Sequence, residues 1–329
     1  MSEMKKRILI TGGAGFVGYH LAFRLSQDPL HNIVIVDNFI RGKLDGEFDT
    51  ILKQPNIKCI FGDLTDKETY KHLGSNFDEV YHFAAIIGVR NVLNHPHEVL
   101  RVNSISLLFL LDWFVNGGGS KLLFASTSEV YAWTQHFHQL PIPTPEDVPL
   151  SLSSLYNPRS TYAGSKIFGE LAVTQYCTVF QKPFVIVRYH NVYGPRMGFE
   201  HVIPELYFRV VNGQDPLIVY SADHIRAFCY ISDAIEATIS AMREEVACGL
   251  TFNIGNDEEE ITIGELARRI LKKANKCVDI IPEKAGNDPV LRRCPDITKA
   301  KEILAYEPKV GLCEGLDLTL DWYMRAIAC

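Results

Sequence analysis

Residues 7–25 restrict the possible folds more than any other stretch of the chain. Arg7-Ile8-Leu9-Ile10 reads as a short buried strand running directly into Thr11-Gly12-Gly13-Ala14-Gly15-Phe16-Val17-Gly18. The apolar-periodic run Tyr19-His20-Leu21-Ala22-Phe23-Arg24-Leu25 then predicts a helix. Strand, glycine turn and helix in this order make a dinucleotide-binding fingerprint. Gly12 permits the tight turn, Gly15 lets a pyrophosphate approach the helix N-terminus, and Gly18 lets the helix pack close to the sheet. Phe16 and Val17, at the helix start, join Gly12 and Gly15 as candidate cofactor contacts.

A second apolar strand, Ile33-Val34-Ile35-Val36, ends at Asp37. An acid about twenty residues beyond the glycines suits the ribose hydroxyls of NAD and repels the extra phosphate of NADP. Asn38 is grouped with it. Arg41 and Lys43 follow closely and keep NADP open, but NAD is the expected cofactor.

Strands and helices alternate onward, with buried strands read at Lys58–Phe61, Glu79–Phe83, Lys121–Ser126 and Phe184–Arg188. That alternation predicts an α/β chain with a Rossmann-type, doubly wound parallel sheet. Asp63 and Leu64, and Ala84 and Ala85, follow strands at the edge where ligands bind, although ordinary loops carry the same residues. After residue 190 the elements shorten and Pro and Gly punctuate them. The expectation is an NAD-binding domain over 1–190 and a smaller substrate-binding domain over 191–329, with one or two elements returning to the main sheet. The loop Pro141–Pro149 has four prolines and either overhangs the site or joins a strand to a helix; Asp257–Glu260 reads as a solvated turn.

Composition excludes several classes. A net charge of −6 argues against general nucleic-acid binding. The most apolar stretch, Leu107–Val115, is short and broken by Asp112, so no membrane span is expected. No secretory signal precedes the first strand, and the eight cysteines form no C-x-x-C pair. These features predict a cytoplasmic protein with reduced thiols and no metal site.

Tyr162 and Lys166 stand four apart and so share a helix face, as Tyr and Lys do on many surface helices. A phenol titrates near ~10, and a neighbouring cation lowers that value. Such a pair can take a proton from an alcohol while a hydride leaves the same carbon.

Together with the N-terminal fingerprint, several further motifs resemble the extended short-chain dehydrogenase/reductase family, in its nucleotide-sugar epimerase/dehydratase branch. They are Gly62-Asp63, Ala84-Ala85, Ser126-Thr127-Ser128-Glu129-Val130-Tyr131, the Tyr162/Lys166 pair, Arg188–Arg196, Arg226–Asp233, Phe252–Asn256 and Arg292–Ile297. The resemblance implies that Thr127 hydrogen-bonds the reacting sugar oxygen, that Tyr162 is the base and that Lys166 binds the nicotinamide ribose. It also implies a sugar or phosphate contact at Asn191, a diphosphate contact at Arg226 and a homodimer. A plain surface salt bridge is the other reading of Arg226.

In this branch the sugar 4-hydroxyl is oxidised first and the hydride is later returned. Loss of carbon dioxide, 4,6-dehydration or 4-epimerisation then distinguishes the members. Ser128 and Glu129 resemble the decarboxylases and the GDP-mannose-type dehydratases, where 4-epimerases have small or neutral residues. Glu129 can equally cap a helix or pair with an arginine. The run 288–301 resembles UDP-glucuronate decarboxylases, in which the arginine before the x-Pro dipeptide, here Arg293, is functional. The departures are Ala132 in place of a glycine and Ile86-Ile87-Gly88-Val89, epimerase-like, in place of a Ser-Pro-Pro element. Decarboxylation of UDP-glucuronate or a related hexuronate is the expected reaction, ahead of 4-epimerisation and 4,6-dehydration. A silent NAD-binding regulator is the remote alternative, and the joint presence of Thr127, Tyr162 and Lys166 argues against it.

Overall fold

The computed structural model describes residues 5–137, 140–152, 154–284 and 290–328. Met1–Met4, before the first strand, and Asp288 and Pro289 of the arginine-bearing run lie outside the described residues. The chain begins β1 (Lys6–Thr11), α1 (Phe16–Ser26), β2 (His31–Asp37), α2 (Gly46–Leu52), β3 (Ile57–Phe61), α3 (Lys67–Leu73) and β4 (Phe77–His82). It continues with α4 (Val89–Asn94), α5 (Pro96–Trp113), β5 (Gly119–Thr127), α6 (Ala132–Phe137), α7 (Ser160–Val179), β6 (Phe184–Tyr189) and β7 (Val192–Tyr193). Next come α8 (Val202–Val211), β8 (Leu217–Tyr220), β9 (Ile225–Ala227), β10 (Cys229–Tyr230), α9 (Ile231–Arg243) and β11 (Thr251–Ile254). The chain ends with β12 (Glu260–Thr262), α10 (Ile263–Lys273), β13 (Ile280–Glu283), β14 (Arg292–Arg293), α11 (Thr298–Leu304) and α12 (Leu312–Ala328).

A seven-stranded parallel sheet runs in the order β11-β6-β5-β4-β1-β2-β3. Its strands carry continuous apolar runs because helices cover both faces: Ile8, Leu9, Ile10, Ile33 and Ile35 have no exposed surface. The chain moves outward from β1 to β2 and β3, then resumes at β4 on the other side of β1. That reversal is a topological switch point, and open α/β sheets bind ligands outside the strand C-termini at such points. Gly12 shows why the position excludes a side chain. Its φ is +69°, and a Cβ there would stand 2.7 Å from the amide nitrogen of Ala84, beyond β4.

The chain divides into two compact units, each continuous in space but not in sequence. The first holds residues 1–130, 152–188 and 237–252, and the second holds 131–151, 189–236 and 253–329. Within the second, β12, β9 and β14 form a small sheet, while β8 pairs with β13 and β7 with β10. Asn253 is the hub of this unit: its side chain donates to the carbonyls of Thr144 (3.0 Å) and Asp296 (3.1 Å) and accepts from Tyr131 (2.8 Å). Glu146 accepts from its backbone N–H at 2.8 Å. The proline-rich loop is therefore packed into its own unit. Among the described residues, no helix is long and apolar enough to cross a membrane.

Candidate active site

Helix α7 presents Tyr162, Lys166 and Glu170 on successive turns of one face, as the four-residue spacing requires. Strand β5 ends at Thr127, whose hydroxyl shares a hydrogen bond with the Tyr162 phenol. The chain then turns sharply through Ser128–Tyr131, and Thr127 Oγ1 accepts from the Glu129 N–H at 3.3 Å. The Glu129 carboxylate is close enough to raise the phenol's pKa, and the Arg41 guanidinium is close enough to lower it. Thr127, Ser128, Glu129, Tyr162 and Lys166 thus lie within the first unit.

The electrostatics differ from the simple expectation of a cation-lowered phenol. Burial dominates and pushes Tyr162 up to about 12. Lys166 spends its ammonium elsewhere: Nζ donates to the carbonyl of Ala125 at 2.7 Å and lies 4.9 Å from the Phe124 ring centroid. Burial lowers Lys166 to about 8, opposed by the Glu170 charge. His82, at the end of β4, is held neutral by burial, with Nδ1 2.8 Å from the Thr11 hydroxyl. A cation already sits in this pocket, so a second is disfavoured.

Two supports escaped sequence reasoning, and a third residue was read there for a different role. Glu170 accepts from Arg188 at 2.9 and 2.6 Å and from Ser126 at 2.5 Å, so a buried ion pair pins the strand end carrying Thr127. Its place one turn beyond Lys166 was the available signal. Asn103, from α5, brackets Ile86: Oδ1 accepts from its N–H (2.7 Å) and Nδ2 donates to its carbonyl (3.1 Å). The same Nδ2 donates to Ser165 Oγ at 3.1 Å, joining the loop after β4 to α7. No local pattern announces this. Arg41 is the third, and its Nη1 donates to the Ile87 carbonyl.

The residues fit a dinucleotide. The Gly12–Gly15 turn brings backbone N–H groups to the N-terminus of α1, with Gly15 as its N-cap. Asp37 ends β2; its oxygens accept from the N–H groups of Ala14 (3.0 Å) and Phe39 (2.8 Å), and burial raises its pKa. Each carboxylate oxygen has a second lone pair suited to a ribose hydroxyl. Asn38 Nδ2 reaches Asp63 Oδ2 at 3.5 Å, while Asp63 Oδ1 accepts from the N–H and hydroxyl of Thr65. Leu64 is buried, Ala84 and Ala85 are half-buried beyond β4, and Phe16 and Val17 open α1.

The second unit collects the remaining candidates. Arg226 on β9 and Arg293 on β14 are register partners in a parallel ladder. Like charges at paired positions destabilise a sheet. Arg226 is buried and donates to the carbonyls of Ile225 (2.9 Å) and Leu291 (3.2 Å). Arg292, which alternation turns to the other face, is engaged by Glu260 at 2.5–3.1 Å. Asn191 adopts φ +42°, and its Nδ2 donates to the Ala227 carbonyl at 2.8 Å.

Comparison with known proteins gives this geometry a context. The sequence model of the NAD dependent epimerase/dehydratase family matches residues 8–255. A UDP-N-acetyl-alpha-D-glucosaminuronate decarboxylase of Bacillus cytotoxicus is 36% identical over 97% of this chain and 98% of its own. UDP-glucuronic acid decarboxylase 1 of Danio rerio is 33% identical over 98% of this chain and 74% of its own. Among solved structures, a Bacillus cereus UDP-glucuronic acid 4-epimerase variant, in complex with UDP-4-deoxy-4-fluoro-glucuronic acid and NAD, superposes with a TM-score of 0.83. It is 28% identical, with 97% of this chain and 99% of that one covered.

Proposed function

The chain belongs to the NAD dependent epimerase/dehydratase family and modifies a nucleotide sugar with NAD, and from that premise we propose that it decarboxylates a UDP-linked hexuronate. NAD, when bound, accepts the hydride from carbon 4 of the sugar and returns it, so no net oxidation results. The observation that carries the reading is the Thr127–Glu129 turn, which gives the Tyr162 phenol a hydroxyl partner and sets a carboxylate within electrostatic reach of it. In this assignment Tyr162 removes the 4-hydroxyl proton, Thr127 holds that oxygen, and Lys166 holds the nicotinamide ribose. The resulting ketone stands β to a uronate carboxylate, so as carbon dioxide leaves, the electrons of the breaking carbon–carbon bond pass into an enolate. The enolate takes a proton from water at carbon 5, which restores the ketone. Glu129 disfavours the ionised carboxylate before bond cleavage. Arg293 binds the uronate and stabilises the developing enolate, Arg226 takes the diphosphate, and Asn191 contacts sugar or phosphate. Both decarboxylase relatives support this choice, and their names make UDP-glucuronate and its 2-acetamido analogue the first substrates to try.

A second reading is 4-epimerisation of the same uronate. It is favoured by Ile86-Ile87-Gly88-Val89 and by the likeness to the Bacillus cereus epimerase. Incubating the purified protein with NAD and each UDP-uronate separates the two by mass spectrometry. Loss of carbon dioxide is expected; an unchanged mass with an altered sugar NMR pattern makes the chain an epimerase. Glu129→Gln and Arg293→Ala are each expected to stall the reaction and leave 4-keto acid, and full activity in both removes the assignment.

The proposal extends to a homodimer in the cytoplasm. Leu100 on α5 and Phe168 and Leu171 on α7 are exposed on two helices that pack together. Light scattering is expected to report twice the chain mass and Leu171→Lys to halve it; a monomeric parent rules this surface out.

A further inference from the structure

The loop after β2 carries a cation, Arg41, that the packing of the sheet does not account for. The loop leaves the sheet at Asp37, and Gly42 then rests on the glycine turn: a Cβ there would stand 2.5 Å from the Cβ of Ala14. One residue earlier, the Arg41 guanidinium reaches the loop after β4 and donates through Nη1 to the Ile87 carbonyl. Strands β2, β1 and β4 are consecutive in the sheet. Asp37, the Gly42–Ala14 contact and the Arg41–Ile87 bond therefore trace a span across three neighbouring strand ends. A dinucleotide crosses a doubly wound sheet over those same strand ends. The far anchor is firm, since Asn103 holds both backbone polar groups of Ile86, next to the acceptor. The span also runs deep enough for the Arg41 charge to act on the Tyr162 phenol.

We propose that Arg41 is a latch over the pyrophosphate of bound NAD, fastened at Ile87 and retaining the cofactor between turnovers. A guanidinium suits the task because it attracts phosphate by charge and by its planar array of donors. The cation that leaves NADP open in the sequence is thereby tied across the groove rather than aimed at a ribose phosphate. A reaction that returns its hydride has no need to release the cofactor, so retention does not slow it. The inference needs NAD to bind and is independent of what happens to the sugar carboxylate.

The test is the rate at which protein loaded with radiolabelled NAD loses the label during a chase with unlabelled NAD. Arg41→Ala is expected to release NAD at least about tenfold faster, the scale of one charge-assisted contact. Raising ionic strength should speed release from the parent and have little effect on Arg41→Ala. Gly42→Ala, which forces the loop off Ala14, should also speed release, while Lys43→Ala should leave the rate as it was. Release from folded Arg41→Ala within about twofold of the parent, well short of the loss of such a contact, overturns the latch. Should Arg41→Ala fail to fold, salt-independent release from the parent together with an unaltered rate in Gly42→Ala overturns it instead.

Discussion

Tyr162→Phe is expected to reduce turnover by about 10²–10⁴-fold, the span of a lost general base. NAD affinity should stay close to that of the parent, because the Gly12–Gly15 turn and Asp37 are untouched. The loss should be the same for each of the proposed reactions, since each of them begins with oxidation at carbon 4. The hydrogen bond between Thr127 and the phenol disappears with the hydroxyl, and in the proposed site the sugar oxygen then keeps one partner instead of two. The pH dependence gives a second readout. Burial pushes the phenol up to about 12, so the base is largely protonated at neutral pH. Parent turnover should therefore climb with pH as the ionised fraction grows, and the residual turnover of Tyr162→Phe should lack that rise. Turnover within about tenfold of the parent in the variant would be too small a loss for the base and would remove Tyr162 from that role.

Glu170→Ala should carry the largest stability penalty, about 3–5 kcal/mol, the range for removing one partner of a buried ion pair. Glu170 and Arg188 have side chains only 9% and 6% exposed, so water cannot replace the lost carboxylate. Arg188 would lose both of its bonds to Glu170, and Ser126 would lose its acceptor beside Thr127. Glu170→Gln keeps the shape and one acceptor oxygen and should cost less than Glu170→Ala. Urea denaturation followed by circular dichroism measures both. A penalty for Glu170→Ala below about 1 kcal/mol, the level of exposed pairs, would show that the pair contributes no more than a surface one. Glu170 also opposes the burial that lowers Lys166 to about 8. Its loss should lower Lys166 further, so the ammonium sheds its charge at a lower pH.

Legibility in the sequence followed distance along the chain. The strand–turn–helix of residues 6–26 was readable because each of its requirements is local: an apolar strand, glycines at fixed offsets and an apolar helix face. The four-residue Tyr–Lys spacing was readable for the same reason. Glu170 lay one turn further along that face, so its position was legible, but its partner Arg188 sits on another element and its role as an anchor was not. Asn103 was invisible, because only the folded chain brings α5 to the loop after β4 and to Ser165. The identity of Arg293 rather than Arg292 as the candidate came from motif position, and strand alternation supplied the physical distinction: Arg292 turns to Glu260.

The doubly wound sheet, the cofactor class and the shared helix face of Tyr162 and Lys166 were all legible in the linear chain. Fingerprints and helix faces are set by residues within a few turns of one another, and hydrophobic periodicity alone orders strands and helices. Tertiary structure decided what those residues experience. Burial, which depends on the whole packed unit, raised the phenol that a neighbouring cation was expected to lower, and it turned Lys166 toward the Ala125 carbonyl. Strand pairing set Arg226 beside Arg293, and the chain's path over three strand ends carried Arg41 to Ile87. These are contacts between residues far apart in sequence, and no local pattern records the distance between two side chains that meet only when the chain is folded.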